Sequence, residues 1–377
     1  MIKPGAWLGL LGGGQLGRMF TMAAQSMGYR VCVLDPGDHS PAGAVADRHL
    51  RADYTDAHAL EALAGLCQAV TTEFENVPAR SLAYLASRCR VSPSAEAVSI
   101  AQDRIAEKAF VQGQGIATAP YLVVNSIDDL QQVGANLLPG IIKVSRLGYD
   151  GKGQARVTTI DEAIAAFVDM GSVPCVLERH LPLQMEISVV VARAGKGEAL
   201  TFPIAENRHA HGILDMSIMP ARISESLATR ARAAALRLAD ALDYLGVLCV
   251  EFFVTEGETL LVNEIAPRPH NSGHYSIDAC VSSQFEQQAR ILAGLPLGAV
   301  DPLCSAVMIN LLGEVWAAHE PDWASVLRHP GVKLHLYGKT HPRQGRKMGH
   351  ITCLAASLDE ALATAHAVRH ELGIERA

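Results

Sequence analysis

The chain opens with an apolar strand, a glycine-rich turn, a helix and a second apolar strand in direct succession. Residues 6–11 are apolar, the turn is Gly12-Gly-Gly-Gln-Leu-Gly17, and the helix is expected to run to about Met27 before a strand at 31–34. Two strands joined through a helix are parallel, because the crossover carries the chain back to the same end of the sheet. The alternation continues, and it predicts a Rossmann-like domain over residues 1–101.

The glycine-rich turn matches the pattern G-x-G-x-x-G over residues 12–17, and Asp35 follows about 20 residues later. Alone, this pattern is the fingerprint of a dinucleotide-binding domain, whose glycines let the backbone approach a pyrophosphate at a helix N-terminus. Nothing later in the sequence resembles a hydride-transfer site. We therefore favour a helix N-terminus that receives another phosphate near Gln15 and Leu16 over a nicotinamide or flavin site.

The composition narrows the class of protein. With 377 residues, 49% of them hydrophobic, the chain is long enough for two or three domains with large cores. The net charge of −7 argues against a dedicated nucleic-acid binder, and no apolar run reaches the ~20 residues of a membrane span. The eight cysteines form no Cys-x-x-Cys pair and lie mostly in apolar runs, which predicts reduced thiols in a cytoplasmic protein.

The pattern of predicted strands and helices changes twice beyond the N-terminal domain, and each change indicates a further domain. Short strands around a second glycine-rich loop predict a small lid at about 117–187, inside a central domain that we place at 102–298. A further strand and a basic hairpin begin a C-terminal domain over 299–377. The elements expected in these two domains are a helix at 102–108, a break at 115–120, a helix from Ser224 to Leu245 with Ser224 as its N-cap, a hairpin at 333–350 and a helix from about Leu358.

A predicted hairpin in the central domain brings two carboxylates together. Two runs of strand-forming residues flank a turn at 255–259, and Glu251 and Glu264 lie on the two predicted strands. Adjacent strands can direct both carboxylates into one space, where they suit a hard cation such as Mg²⁺. The alternative is an exposed hairpin with two solvated acids. The stretch Asn263–His274 adds an amide, an arginine and two histidines, and this density favours a metal–nucleotide site.

The second glycine-rich loop follows Lys143, which stands at the end of an apolar strand. An ammonium group in that position can reach a phosphate from a fixed base, and Lys152 adds a second positive charge. Gly148, Gly151 and Gly153 permit a mobile loop whose backbone N–H groups can close over a polyphosphate and exclude water. The P-loop pattern G-x-x-x-x-G-K-[ST] is absent. The alternative is a flexible surface hairpin.

Two polar clusters are candidates for binding a nucleoside. The strand at 173–181 leads to a hinge whose free backbone groups can hold an adenine by its edge, and Glu186 is spaced to reach ribose hydroxyls. Residues 206–209 precede residues 211–217, and together they form a polar turn in an otherwise apolar region. Without their context these residues are more often surface charges, so they depend on the other motifs.

Two further clusters are candidates for binding an acceptor substrate. Glu73 and Glu75 follow a predicted strand and share one of its faces, at the edge where a Rossmann-like sheet places its ligands. Lys339, Arg346 and Lys347 make the C-terminal hairpin cationic. A planar guanidinium beside ammonium groups suits a phosphate monoester, and the alternative is a solvated basic turn.

Together these motifs resemble a known family, the 5-(carboxyamino)imidazole ribonucleotide synthases, which are ATP-grasp carboxylases of purine biosynthesis. The matching stretches fall in order over nearly the whole chain. They are Gly12–Met19, Thr72–Val77, Gln102–Arg104, Gly148–Gln154, Glu206–His209, Asn263–His274, Ser283–Glu286 and Gly345–Ile351. One position departs from the family: Leu147 stands where a second glycine usually precedes Gly148, which is expected to stiffen the loop without removing a functional group.

The resemblance implies a mixed α/β (α+β) protein and a homodimer. Its Rossmann-like N-terminal domain would precede an ATP-grasp domain with a small lid and a compact β-rich C-terminal domain. It also implies that the protein binds ATP and Mg²⁺, with Mn²⁺ as an alternative ion. Glu251 and Glu264 are the implied ligands of the metal ion. The implied ATP-binding residues are Arg104, Lys143, Gly148, Tyr149, Asp150, Gly151, Lys152, Gly153, Gln154, Glu178, Arg179, His180, Leu181, Glu186, His209, Asn263 and Glu264. The residues implied for aminoimidazole ribonucleotide are Gln15, Leu16, Glu73, Asn271, Lys339, Arg346 and Lys347.

The reaction that the resemblance implies is ATP-dependent carboxylation of aminoimidazole ribonucleotide by bicarbonate, through carboxyphosphate. Carboxyphosphate is labile in water, which explains the need for a closing glycine loop. By the same resemblance, Asp150 accepts the proton of the exocyclic amine with Tyr149 beside it, and Arg268 and His270 hold bicarbonate.

Two other functions stay open on the sequence. A sister ATP-grasp enzyme formylates glycinamide ribonucleotide with formate through the same acyl-phosphate chemistry, although the stretches 148–150 and 271–274 favour the carboxylase. A degenerate nucleotide-binding regulator would have lost the metal-binding acids or the phosphate-binding lysines, and both sets are present. Neither a nucleic acid nor a membrane is expected as a partner.

Overall fold

The structure is a computed structural model that describes residues 1–148 and 152–374. The N-terminal domain contains β1 (Trp7–Leu11), α1 (Gln15–Ser26), β2 (Arg30–Leu34), β3 (Arg48–Leu50), α2 (Ala57–Leu66), β4 (Ala69–Thr72), α3 (Ala79–Ala86), β5 (Arg90–Val91) and α4 (Ala95–Ala101). The five strands form a parallel sheet in the order β3-β2-β1-β4-β5. Helix α1 packs on one face, and α2 and α3 pack on the other. The predicted Rossmann-like domain is confirmed.

A small antiparallel domain follows. Its elements are α5 (Arg104–Gly113), β6 (Tyr121–Val124), α6 (Ile127–Gln131), a 3₁₀ turn (Ala135–Leu137), β7 (Gly140–Val144), β8 (Gln154–Val157), α7 (Ile160–Asp169) and β9 (Cys175–Arg179). The strands form a sheet in the order β6-β9-β7-β8, and α6 and α7 cover one face through buried Leu130 and Phe167. Because β7 and β8 are hydrogen-bonded neighbours, the described residues 145–148 and 152–153 that adjoin them lie at the same end of the sheet.

The rest of the chain builds one larger sheet. Its elements are β10 (Met185–Gly195), β11 (Glu198–Thr201), β12 (Ala205–Ala210), β13 (Ile213–Met219), α8 (Glu225–Ala241), β14 (Gly246–Thr255), a 3₁₀ turn (Glu256–Glu258), β15 (Thr259–Ala266), a 3₁₀ turn (Asn271–Gly273), α9 (Ser276–Ala279), α10 (Gln284–Ala293), β16 (Ser305–Leu312), a 3₁₀ turn (Gly313–Trp316), α11 (Trp323–Val326), β17 (Val332–Leu336), β18 (Lys347–Ala355) and α12 (Leu358–Glu371). The nine strands run β15-β14-β10-β12-β13-β16-β18-β17, with β11 paired to β10. Strands of the C-terminal domain therefore extend the sheet of the central domain.

The long helix α8 has the cap that the sequence predicts. The hydroxyl of Ser224 accepts the backbone N–H of Leu227, and alanines of α8 pack on the apolar face of β10 and β14. The helix ends at Ala241, a few residues before the predicted end at Leu245, because Asp243 adopts a left-handed backbone with φ of 40°.

Two further predicted boundaries differ from the structure. The helix expected at 102–108 begins at Arg104, because the Asp103 side chain accepts the N–H groups of its first turn, and it continues to Gly113. The polar turn expected over 206–217 is shorter than predicted, because residues 206–209 lie within β12 and residues 213–217 lie within β13. The turn itself is His211–Gly212, where both residues have positive φ, as two-residue hairpin turns require.

The predicted C-terminal hairpin is confirmed, since β17 and β18 pair as antiparallel strands. Among the residues described, no helix combines the length and the apolar character needed to cross a membrane.

Candidate active site

A cleft of about 960 Å³ lies where the N-terminal sheet, the small antiparallel sheet, the large sheet and the C-terminal hairpin meet. Most of the residues singled out from the sequence line it. They are Gln15, Leu16, Glu73, Arg104, Lys143, Gly148, Lys152, Gln154, Glu178, Arg179, His180, Leu181, Glu186, His209, Glu251, Asn263, Glu264, Arg268, His270, Asn271 and Lys347. Gly153, Lys339 and Arg346 are not part of this lining, and Tyr149, Asp150 and Gly151 lie outside the described residues.

The two carboxylates of the central hairpin face each other, as predicted. Glu251 on β14 is directly opposite Glu264 on β15, and a bulge follows this pair. The bulge interrupts the alternation of side chains, so that both Asn263 and Glu264 line the cleft. Burial and the charge of Glu264 raise the pKa of Glu251 to about 7. Two neighbouring carboxylates suit a divalent cation, and ligand atoms of Glu251, Glu264 and His270 lie within 4.8 Å of one another.

A buried carboxylate on β9 of the small antiparallel sheet lies between two lysines. Oε2 of Glu178 is 2.9 Å from Nζ of Lys143, and Oε1 is 3.0 Å from Nζ of Lys108. Burial opposes ionisation of Glu178, but the two ammonium groups outweigh it and lower its pKa to about 2. Glu178 is 3% exposed, and its ion pair with Lys143 holds the ammonium group of that lysine at the cleft.

The hinge that follows Glu178 has fewer free backbone groups than the sequence suggests. The N–H of Arg179 donates to the carbonyl of Pro120 at 2.9 Å, and the N–H of His180 donates to that of Pro139 at 2.9 Å. The predicted free amides of these two residues are therefore occupied. The segment still lines the cleft, as does Glu186, whose Oε2 is 3.1 Å from Nδ1 of His209. Burial opposes protonation of His209, but Glu186 and Glu251 outweigh it and raise its pKa.

Helix α5 places two charged side chains at the site that the sequence motifs do not indicate. Arg104 was predicted, and its Nη1 lies 3.4 Å from Oε2 of Glu264. Glu107 and Lys108 were not, although Glu107 lines the cleft and accepts the N–H of Ile265 at 2.5 Å. Burial and the charge of Glu264 raise the pKa of Glu107 to about 8. The sequence contained a signal for this: side chains at positions i, i+3 and i+4 of a helix lie on one face, so that Glu107 and Lys108 could be expected beside Arg104.

The N-terminus of α1 is closed by a carboxylate of the protein itself. Glu73 accepts the backbone N–H of Gly14 and, at 2.7 Å, that of Gly17, while Asp35 accepts the N–H of Gly13 at 2.9 Å. Glu73 thus occupies the N–H groups of Gly14 and Gly17, where the pyrophosphate of a dinucleotide would bind, whereas a phosphate near Gln15 and Leu16 stays a prediction. A Cβ at Gly14 would lie 2.7 Å from Oε1 of Glu73, so the glycine admits the carboxylate.

Glu73 and Glu75 do not share a strand face. Strand β4 ends at Thr72, and both acids lie in the loop beyond it. Glu73 turns to α1, whereas Glu75 forms an ion pair with Arg268. The Rossmann-like domain thus contributes to the cleft through the loop that follows β4. Through Glu75, this loop holds the guanidinium group of Arg268, a predicted bicarbonate-binding residue.

The C-terminal hairpin reaches the N-terminal helix across the cleft. Nζ of Lys339 donates to Oε1 of Gln15 at 2.8 Å and to the carbonyl of Lys347 at 2.7 Å, which brings three predicted substrate-binding residues together. Arg346 instead donates to the carbonyl of His341 within the hairpin at 2.8 Å.

Strand β16 supports the predicted substrate-binding residue Asn271. The amides of Asn271 and Asn310 exchange two hydrogen bonds, of 3.0 and 2.7 Å, and both side chains are buried. The C-terminal domain therefore completes the site as well as the sheet.

Comparisons with known proteins agree with this arrangement. In chain order, the sequence matches the models of a ribonucleotide synthetase preATP-grasp domain over residues 6–102, an ATP-grasp domain over 109–285 and a phosphoribosylaminoimidazole carboxylase C-terminal domain over 306–364. A polar cleft between a small antiparallel lid and a larger antiparallel sheet, in this order of domains, defines an ATP-grasp ligase.

The relatives narrow this class to one family. The N5-carboxyaminoimidazole ribonucleotide synthase of Bacillus subtilis (strain 168) is 44% identical over 363 residues, 96% of this chain and 94% of that protein. The structure of N5-carboxyaminoimidazole ribonucleotide synthetase from Thermus thermophilus is 41% identical, with a TM-score of 0.89 over 96% of this chain and 98% of that one. N5-carboxyaminoimidazole synthase from Aspergillus clavatus, in complex with ADP and 5-aminoimidazole ribonucleotide, is 32% identical, with a TM-score of 0.89 over 98% of each chain. The chain belongs to the N5-carboxyaminoimidazole ribonucleotide synthase family, as the sequence motifs predict.

Proposed function

We propose that the protein carboxylates the exocyclic amine of 5-aminoimidazole ribonucleotide with bicarbonate and ATP, giving N5-carboxyaminoimidazole ribonucleotide, ADP and phosphate. One observation carries the proposal: a single cleft is lined by the facing acids Glu251 and Glu264, by a lysine that is ion-paired with a buried carboxylate, by Arg268 and His270, and by Lys347. In that order, these residues suit the binding of a metal ion, a polyphosphate, a small anion and a phosphate monoester. The names of the relatives support the same reaction.

ATP would bind between the lid and the large sheet, with its phosphates near Lys143 and Arg104. Glu251 and Glu264 fit Mg²⁺, or Mn²⁺, because the two carboxylates lie opposite each other on adjacent strands and line one cleft. A divalent ion held there would neutralise charge on the phosphoryl group in transfer. Lys143 is held in place by Glu178, so that its side chain is in position before ATP arrives.

The remaining residues act on the acceptor half of the reaction. Arg268, fixed by Glu75, and His270 would hold bicarbonate while one of its oxygens attacks the γ-phosphorus and ADP leaves. The amine nitrogen of the ribonucleotide then attacks the carboxyphosphate carbon, phosphate leaves, and the amine proton passes to a base. We assign that base to Asp150, with Tyr149 beside it, by analogy with the family.

The proposal includes finer features of the assembly. The substrate phosphate would bind at Lys339, Arg346 and Lys347, and its ribose and base near Gln15, Leu16, Glu73 and Asn271. We keep domain boundaries at 1–101, 102–298 and 299–377, with the lid at 117–187, and the family models begin and end near them. A homodimer and a cytoplasmic location follow from the resemblance. The eight cysteines, all unpaired, fit a reducing compartment.

The test is ADP release from Mg-ATP with aminoimidazole ribonucleotide, with and without labelled bicarbonate, beside an assay with glycinamide ribonucleotide and formate. We expect turnover that requires bicarbonate and places its label on the ribonucleotide. Glu264→Ala should lower this turnover about 100-fold or more, whereas Glu256→Ala, an exposed acid in the adjacent turn, should not. Turnover only with glycinamide ribonucleotide and formate would contradict the proposal.

A further inference from the structure

Lys108 is a buried lysine that lies behind the wall of the cleft. It belongs to α5, its side chain is 2% exposed, and it is not among the residues that line the cleft. Its Nζ lies 3.0 Å from Oε1 of Glu178 and 5.5 Å from the centroid of the Tyr121 ring. Glu178 and Tyr121 are paired neighbours on β9 and β6, so this one side chain of α5 contacts two strands of the small sheet.

The other oxygen of Glu178 binds a lysine of the cleft. Oε2 accepts a hydrogen bond from Nζ of Lys143 at 2.9 Å, and both of these side chains line the cleft. An ammonium group has three N–H donors, so Lys143 can bind Glu178 and a phosphate oxygen at the same time. Burial lowers the pKa of Lys143, and the charge of Glu178 opposes this effect. Lys143 therefore depends on its carboxylate partner.

The same carboxylate would oppose a bound polyphosphate if Lys143 were its single counter-ion. Glu178 is almost fully buried, so water screens its negative charge poorly, and like charges at close range repel. One lysine would then have to neutralise both the carboxylate and the phosphates. Lys108 removes this conflict, because it supplies a second ammonium group to Glu178 from the side that the nucleotide does not occupy.

Stability of the fold does not explain the charge of Lys108. Its Nζ and Oε1 of Glu178 form an ion pair, but neither atom has a partner in hydrogen-bond geometry. A buried ammonium with unsatisfied donors is commonly less favourable than an apolar side chain of similar volume. Arg193, a buried cation outside the cleft, differs in this respect, since it donates to Asp240 at 2.8 Å and to the carbonyl of Tyr244 at 2.6 Å. The contrast indicates that the site uses the charge of Lys108.

We infer that Lys108 is a positioning residue for ATP binding, which neutralises Glu178 from behind the cleft and so leaves the ammonium group of Lys143 to the phosphates. The inference rests on the proposed function, because it takes the nucleotide as the ligand of this part of the cleft. It adds a residue that acts through Glu178 and does not itself line the nucleotide site.

Calorimetric titration with Mg-ADP tests the inference without any acceptor substrate. In Lys108→Met, Glu178 would have Lys143 as its remaining ion-pair partner among the described residues. We expect the Kd for ADP to rise at least about 20-fold, because the phosphates then compete with a buried carboxylate for one lysine. An unchanged Kd would overturn the inference.

Removal of the carboxylate should remove the need for Lys108. The double variant Lys108→Met/Glu178→Gln should bind ADP with a Kd within about fivefold of the wild type, although it has lost two side chains of the cluster. Affinity as weak as that of Lys108→Met would mean that Lys108 supports the fold of the site, and it would contradict the inference. If Lys108→Met does not fold, the comparison of the double variant with the wild type still decides, since no buried charge is left unpaired at either position.

The matched control is Arg193→Met. Arg193 is as buried as Lys108, with 2% of each side chain exposed, and neither it nor Asp240 lines the cleft. Its Kd for ADP should stay within about twofold of the wild type; a loss like that of Lys108→Met would contradict the inference. If the carboxylation assay fails while these affinities are as expected, the proposed reaction fails and the inference stands. A wild type that binds no ADP would contradict both.

Discussion

Leu147 has a backbone conformation that a side chain makes costly. Its φ is 62°, and the side chain is 71% exposed, so little burial compensates for the strain. A left-handed residue with a Cβ costs about 1–2 kcal/mol relative to a right-handed one. The family resemblance places a glycine here, and the structure supplies the physical reason for that preference.

Leu147→Gly should therefore raise the free energy of unfolding by about 0.5–1 kcal/mol, since relief of strain exceeds the entropy that glycine adds to the unfolded chain. Urea denaturation monitored by circular dichroism measures this change. Leu303→Gly is the control: Leu303 is 65% exposed and has no positive φ, so its substitution should destabilise. Equal losses in the two variants would show that Leu147 is not strained.

At the scale of elements, α1 and the loop after β4 form one unit through Glu73. The carboxylate accepts N–H groups at the N-terminus of α1, where the helix dipole favours a negative charge. Burial raises the pKa of Glu73, although the N–H groups of Gly17 and Gly14 oppose this. The glycine-rich motif, which in other proteins commonly binds a phosphate, here binds a carboxylate that connects α1 to the loop after β4.

Gly14→Ala should lower the free energy of unfolding by about 1–3 kcal/mol, because the new Cβ would displace the Glu73 carboxylate from α1. Chemical denaturation again provides the measurement. Gly65→Ala in α2 is the matched control, since nothing lies within 4 Å of a Cβ built there; it should stabilise by about 0.5–1 kcal/mol. A Gly14→Ala protein as stable as the wild type would mean that Glu73 does not hold the helix.

At the scale of the whole molecule, one sheet and one core join the central and C-terminal domains. Strand β13 pairs with β16 from Met216 opposite Ile309 to Met219 opposite Ala306, and apolar side chains of both domains form a common cluster. Arg369 on α12 also binds Asp215 on β13 through two hydrogen bonds of 2.7 Å, and both side chains are buried.

A chain that ends at residue 298 should therefore aggregate, because it would expose the edge of β13 and its apolar face and leave Asp215 unpaired. Size-exclusion chromatography of the truncated and full-length proteins, purified in the same way, tests this. A monodisperse fragment that unfolds cooperatively would show instead that the central domain is independent of its C-terminal partner.

Much of the site was predictable where the chemistry is local in sequence. A short turn between two strands forces Glu251 and Glu264 to be neighbours, and Lys143 lies where an apolar strand meets a glycine loop. Periodicity also predicted α8 and its cap. The turn predicted over 206–217 is too long, because a strand that lines a polar cleft also has polar residues on one face, and only residues 211–212 form the turn.

The amino-acid sequence by itself determined the order of the domains, the acid pair of the hairpin and the family, because strand pairing over short turns and contiguous motifs need only neighbouring residues. Tertiary structure alone decided which groups meet across the chain. It closed α1 with Glu73, brought Lys339 to Gln15, and joined Ser188 to His270 through Ser272. Such contacts depend on how the sheets pack, and a buried donor or acceptor takes whichever partner the packing places within reach.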